Sequence, residues 1–289
     1  MGIVEDIKKG AVSNGTKIQT SDAAQLEKIF NKMYYTEHNI EEETKFIHQV
    51  MTRGLESQER VGLHASAIIV SEKSWCTRQQ VLSLLFKQIQ RENVNIGLLR
   101  IFEEGNAIHE KWQRLLIRAG YGKAKTMDKT RFNKTYEISY TPDIICRIPE
   151  FFDGVMVGEI KSVNTFQFKK MLEHPSAKKQ LQFYMYLCIE EAKKKGKWNG
   201  IDYTKGFVLC DDKNTQDFKL FIYDYDQNFV SPFINRLEEV KYHKDNFINT
   251  GKMVERCNLC KVVDCKMAEG CPMKNACWNV GFGRIKLKL

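Results

Sequence analysis

The chain has 289 residues, of which 43% are hydrophobic and 28% charged, and it carries a formal net charge of +9. This is the balance of a soluble globular protein with chain enough for one or two domains and a sizeable core. Its longest apolar runs fall far short of the roughly 20 residues of a membrane span, and Met1-Gly-Ile-Val-Glu-Asp6 lacks the apolar stretch of a secretory signal. A cytoplasmic protein with no membrane partner is therefore expected. The positive charge favours an anionic partner, nucleic acid first. Nine cysteines without a secretory signal argue against a disulfide framework and for metal ligands.

Residues 1–61 read as a helical extension ahead of a main domain spanning 62–289. Within the extension, Leu26, Phe30, Met33 and Tyr34, then Phe46, Ile47, Val50 and Met51, recur at helical spacing, with Glu41-Glu-Glu interrupting them. A further helix is predicted from near Cys76 to about Asn93. Another is predicted from Leu99 to Ala119, with Ile101, Phe102, Ile108, Trp112, Leu115 and Leu116 as its apolar positions. A basic stretch (Lys123, Lys125, Lys129, Arg131, Lys134) then leads through Tyr136–Tyr140 into a strand carrying Asp143.

The chemistry concentrates between Tyr140 and Tyr184. Val155 to Val163 reads as a strand, so Glu159 and Lys161 share one face and Ile160 points into the core. The Asp153-Gly154 turn signal lets Asp143 and Glu159 sit on neighbouring strands of one hairpin. Two carboxylates that close repel unless a cation lies between them. A hard divalent ion is held in this way, by one or two carboxylates plus water and substrate phosphate. A lysine beside it can orient the attacking water and stabilise charge developing on phosphate. After Lys161, the segment Ser162–Lys170 is placed to touch substrate. Pro175 starts a helix on which Gln180 and Tyr184, four apart, share a face. Gly206–Asp212 and Phe218–Tyr223 read as a strand hairpin. A last long helix follows from Asp226 to about Thr250, kinked by Pro232 or starting there with Ser231 as its cap. Cys146, Cys188 and Cys210 lie in apolar segments and read as core residues.

Residues 257–277 hold Cys257, Cys260, Cys265, Cys271 and Cys277. So dense and polar a group reads as a metal site, either zinc held by four of the five or an iron–sulfur cluster that also draws in Cys76.

Asp143 followed by Glu159-x-Lys161 resembles the PD-(D/E)xK nuclease motif, and Gln180-x3-Tyr184 resembles the added motif of its RecB-like branch. The resemblance covers about residues 62–280 and implies an α/β, restriction-endonuclease-like core: a mixed sheet flanked by helices, with a helical periphery stapled by a metal cluster. It implies Mg²⁺ or Mn²⁺ held by His109 (in Gly105-x3-His109), Asp143, Glu159 and the Ile160 carbonyl, with Lys161, Gln180 and Tyr184 completing the catalytic set. In the AddB-type and CRISPR-associated relatives, one upstream and three downstream cysteines hold a 4Fe–4S cluster. By that plan Cys76, Cys265, Cys271 and Cys277 are the ligands, with Cys257 and Cys260 as alternates, and zinc remains the other choice. The resemblance also implies a DNA exonuclease, with endonuclease activity open, acting on single-stranded DNA in recombination, repair or phage DNA metabolism. Stand-alone chains of this kind are often phage-encoded, which would put the protein in the host cytoplasm. The reading from another class is a non-catalytic DNA-binding or scaffold module with a structural iron–sulfur or zinc site.

Overall fold

The computed structural model describes residues 62–86, 96–127, 129–257, 260, 262, 263 and 265–278. The N-terminal extension and the basic end of the chain lie outside them.

A four-stranded mixed sheet organises the main domain. β4 (Ile144–Cys146), β5 (Met156–Val163), β6 (Lys205–Asp212) and β7 (Phe218–Asp224) lie side by side in that order. β4 runs antiparallel to β5, β5 parallel to β6, and β6 antiparallel to β7. A separate three-stranded sheet, in the order β1 (Leu63–His64), β3 (Ile138–Tyr140), β2 (Arg131–Asn133), precedes it in the chain. Asp143 therefore stands in a bend just ahead of β4, and not on a strand continuous with Tyr140. Pro142, with no N–H to give a ladder, separates the two strands.

Side-chain alternation divides the core in two. One face of the sheet presents Met156, Ile160, Phe207 and Leu209, packed with Ile144 and Met127 and covered by Ile108, Trp112 and Leu116. These three come from α2 (Ile96–Arg118). The same helix exposes Ile101, Phe102 and Leu115, three of its apolar positions. The other face presents Val157, Val163, Val208 and Cys210 to α4 (Pro175–Lys194). Every residue of α4 from Leu181 to Ile189 is buried, because the helix lies between the sheet and a further layer. That layer includes α1 (Thr77–Leu85), α5 (Gln227–Thr250) and β3. Phe183 meets Phe233 edge-on at 6.0 Å, and the Tyr140 hydroxyl donates to Glu191 at 2.6 Å. Cys146, Cys188 and Cys210 are buried, as their apolar surroundings suggest.

Helix ends follow from caps. His174 Nδ1 accepts from the Ala177 N–H ahead of Pro175, and Asn164 caps α3 (Thr165–Lys170) in the same way. α5 starts earlier than Ser231: the Asp226 carboxylate accepts from the N–H groups of Asn228 and Phe229, so Pro232 lies inside the helix. It ends at Gly251, whose φ of 71° suits glycine and lets its N–H reach the Phe247 carbonyl. α1 stops at Leu85 because Phe86 is extended, so the longer helix expected there is cut short. Residues 87–93 fall outside the described residues. Two short helices, α6 (Lys266–Glu269) and α7 (Lys274–Trp278), follow α5, and Met273, Ala276 and Cys277 join the core near α1. Among the described residues, no helix is long and apolar enough to cross a membrane.

Gly158 is needed for close approach. A Cβ there would lie 2.5 Å from the Phe207 ring and 3.0 Å from Ile144 Cβ. Gly158→Ala is expected to cost about 1–3 kcal/mol through overpacking. The check is a lower denaturant midpoint at unchanged m-value.

Candidate active site

β5 places Glu159 and Lys161 on the α4 side of the sheet, and the β4–β5 register puts Ile144 opposite Gly158. Asp143, one residue before β4, thereby reaches β5: its Oδ2 accepts the Ile160 backbone N–H at 2.7 Å. Asp143 and Glu159 are both buried, with Glu159 only 1% exposed. His109 arrives from α2, its Nδ1 at 3.4 Å from Asp143 Oδ1. One turn on, Gln113 donates to the Asp143 backbone carbonyl at 2.9 Å. α2 thus holds Asp143 at two points.

On the other side, Lys161 Nζ donates to Glu159 Oε1 at 2.5 Å and to Gln180 Oε1 at 3.2 Å. Gln180 Nε2 in turn donates to the Tyr184 hydroxyl at 3.1 Å. Tyr184 is buried, its ring 6.0 Å from that of Tyr140. Within this geometry Gln180 and Tyr184 orient the lysine from behind. The buried tyrosine faces the interior.

The electrostatics describe a site short of positive charge. Burial, and next the Asp143 charge, push the Glu159 carboxyl up to about 8 against the pull of Lys161 and His109. Its Oε2 has no hydrogen-bond partner among the described residues. Burial alone would lower the Lys161 ammonium, but the charge and hydrogen bond of Glu159, helped by Asp143, outweigh it and hold Lys161 above its usual value. At neutral pH Lys161 is a charged donor, suited to orienting and stabilising rather than to accepting a proton.

Among the described residues, no three His, Cys, Asp or Glu side chains form a ready-made metal site. The donors still suit a hard divalent cation: two carboxylates and an imidazole, with one buried carboxylate oxygen unmatched. Lys161 now supplies the positive charge that such an ion would bring to Glu159. The Ile160 N–H anchors Asp143.

Three contributors escaped the sequence reading. Gln113 could have been noticed only as lying four residues after His109, hence on its face. Asp211, 1% exposed, accepts from Lys111 Nζ at 2.5 Å and Trp112 Nε1 at 2.7 Å, locking α2 beside His109 onto β6. His174, the cap of α4, has its imidazole lowered by burial and then by the Lys161 charge.

The cysteines gather elsewhere. Burial pushes the Cys76 thiol up to about 11; a backbone hydrogen bond at Gln79 opposes this, and the adjacent Cys257 thiol adds to it. Cys265 Sγ lies 3.8 Å from Cys260 Sγ. Its thiol is lowered, chiefly by the Ala268 N–H at the start of α6. Burial raises Cys271, and weaker contributions come from Cys277, Cys260 and Cys257. Cys257, an alternate in the sequence reading, is thus a downstream cysteine that meets Cys76, and Cys260 lies beside Cys265. Arg78 Nη1 donates to the Val254 carbonyl at 2.6 Å and ties α1 to this segment.

No protein-family model matches the chain, and no curated protein matches it. Similar solved structures include LHK-Exo in complex with dAMP, at 13% identity over 65% of this chain and 90% of that one, with a TM-score of 0.43. The alkaline exonuclease LHK-Exo from Laribacter hongkongensis is similar at 14% identity over 68% and 95%, with a TM-score of 0.41. SSO0001 is similar at 16% identity over 80% and 96%, with a TM-score of 0.38.

Proposed function

We propose that this chain is a divalent-metal-dependent deoxyribonuclease of the PD-(D/E)xK type, acting as an exonuclease on single-stranded DNA. The observation that carries the reading is the buried Asp143–Glu159 pair, with an unmatched carboxylate oxygen on Glu159 and Lys161 and His109 at its margins. A structural core gains nothing from two buried acids facing each other.

Asp143, Glu159 and His109 would hold Mg²⁺ or Mn²⁺, with the Ile160 carbonyl completing the set. When bound, the ion would supply a nucleophilic water at neutral pH and neutralise charge on the phosphate. Lys161 donates to the phosphate oxygen on which negative charge builds as the water oxygen bonds to phosphorus and the bond to the leaving oxygen breaks. Gln180 and Tyr184 hold that ammonium in place, while Gln113 and the Ile160 N–H hold Asp143. The positive surface tracks the DNA backbone, so binding weakens with salt.

Incubation of the protein with end-labelled single-stranded DNA, in Mg²⁺, Mn²⁺ or EDTA, tests the reading. Progressive shortening in either metal and none in EDTA is expected, and the ladder gives the polarity. DNA binding without cutting in both metals would favour the non-catalytic binding or scaffold module.

The cysteine segment is a separate proposal: a thiolate metal site, 4Fe–4S or zinc, joining Cys76 to residues 257–277. The Cys76–Cys257 approach and the Cys260–Cys265 pair support it. Metal analysis of anaerobically purified protein decides its kind. About four irons with visible absorbance indicate the cluster, and one zinc in colourless protein indicates a zinc site.

A further inference from the structure

The segment between β5 and α4 begins and ends at the candidate site. It leaves the sheet at Val163, two residues beyond Lys161, and returns at His174, the cap of the helix that carries Gln180 and Tyr184. Its backbone is firmly held. Lys219 Nζ donates to the carbonyls of Phe168 at 2.7 Å and Met171 at 3.1 Å. Thr165 donates to Asp212 at 2.8 Å, Asn164 caps α3, and Phe168 is buried in the core.

This anchored segment nevertheless turns two large apolar side chains to solvent. Phe166 is 70% exposed and Leu172 is 91% exposed. Lys170 Nζ sits over the Phe166 ring at 4.0 Å, and Lys169 and Lys170 are both exposed. Exposed apolar residues scattered singly need no explanation. Two on one rigid segment, flanked by cations and bounded at both ends by the candidate site, have one. An aromatic face with adjacent positive charge is the combination that binds unpaired nucleobases and their backbone.

We propose that Phe166, with Leu172 further along the same segment, forms a base-stacking platform at the mouth of the site and takes unpaired bases of a DNA strand next to the scissile phosphate. Lys169 and Lys170 pair with the flanking phosphates. The assignment rests on the nuclease reading and names the residues through which that reading's strand preference would act. A duplex, whose bases are already stacked, gains nothing from the platform.

The test is fluorescence anisotropy of labelled oligothymidylate in EDTA, which prevents cutting, with full-length wild type, Phe166→Ala and Phe166→Trp. Phe166→Ala is expected to bind about ten-fold more weakly, the usual scale for one lost base–aromatic stack. Phe166→Trp is expected to match or exceed wild type. An oligomer of abasic residues is expected to bind wild type and Phe166→Ala equally. Thermal melts establish that the variants are folded, as the exposure of Phe166 predicts. Equal binding of oligothymidylate by wild type and Phe166→Ala, with wild type cutting DNA in metal, would overturn the platform and leave the nuclease reading intact. If wild type neither binds nor cuts DNA, the nuclease reading has failed and the platform falls with it.

Discussion

Lys161→Ala is expected to slow DNA cleavage by about 10²–10³-fold, the usual loss on removing one donor aimed at developing charge. Single-stranded DNA binding should stay within a few-fold of wild type, because the exposed basic surface dominates that term. The loss should fall on kcat, since Lys161 acts on charge that appears only in the transition state. The geometry explains why one residue matters so much. Lys161 is the donor to Glu159 Oε1, and Gln180 fixes its other side at 3.2 Å. Gln180→Ala should therefore cost less, about ten-fold, because the ammonium stays and only its aim loosens. Single-turnover cleavage of end-labelled DNA measures both. A Lys161→Ala enzyme as fast as wild type would remove the lysine from the chemistry.

Glu159→Gln is expected to abolish cleavage and yet stabilise the metal-free protein, increasingly so at higher pH. The Glu159 carboxyl is raised from 4.5 to about 8 by burial and by Asp143. Between those values the folded protein keeps a proton that the unfolded chain has released. Folding stability therefore falls as pH rises through this window, and above it the full penalty applies. Glutamine is neutral at every pH and carries no such penalty. In EDTA the two proteins should melt alike near pH 4. They should then separate in favour of the variant up to pH 8–9, by an amount on the order of a few kcal/mol. Saturating Mg²⁺ should raise the wild-type melting temperature more at pH 8 than at pH 5, and the Glu159→Gln temperature much less. A wild type that gains stability with pH relative to the variant would contradict the charge-deficient description of the site.

The order of the site was legible because its parts follow short-range rules. Strand periodicity put Glu159 and Lys161 on one face and Ile160 on the other, and helix periodicity joined Gln180 to Tyr184. The hairpin joining Asp143 to Glu159 was readable too, but not for the reason assumed. The connection runs from Arg147 to Val155, and Gly154 serves close packing against Phe152 and Ile201. Long-range partners left no local trace. Asp211 reads as the end of a strand, and nothing near it in sequence shows that it will clasp Lys111 and Trp112, a hundred residues earlier. The meeting of Cys76 with Cys257 depends on how α1 packs against the segment after α5. The break between β3 and β4 was written in Pro142, yet the apolar run continuing past it masked the change of sheet.

The most direct measurement is calorimetric titration of Mn²⁺ into the wild-type protein and into Asp143→Asn at pH 8. Asp143 is held at its carboxylate by Ile160 and His109 and at its carbonyl by Gln113, so the variant can keep the Ile160 and Gln113 hydrogen bonds while it loses the charge that faces His109. One divalent-cation site in wild type, abolished or weakened by about 100-fold in Asp143→Asn, is the result that a carboxylate-held ion predicts. Equal binding by both proteins, or none by wild type, would contradict it.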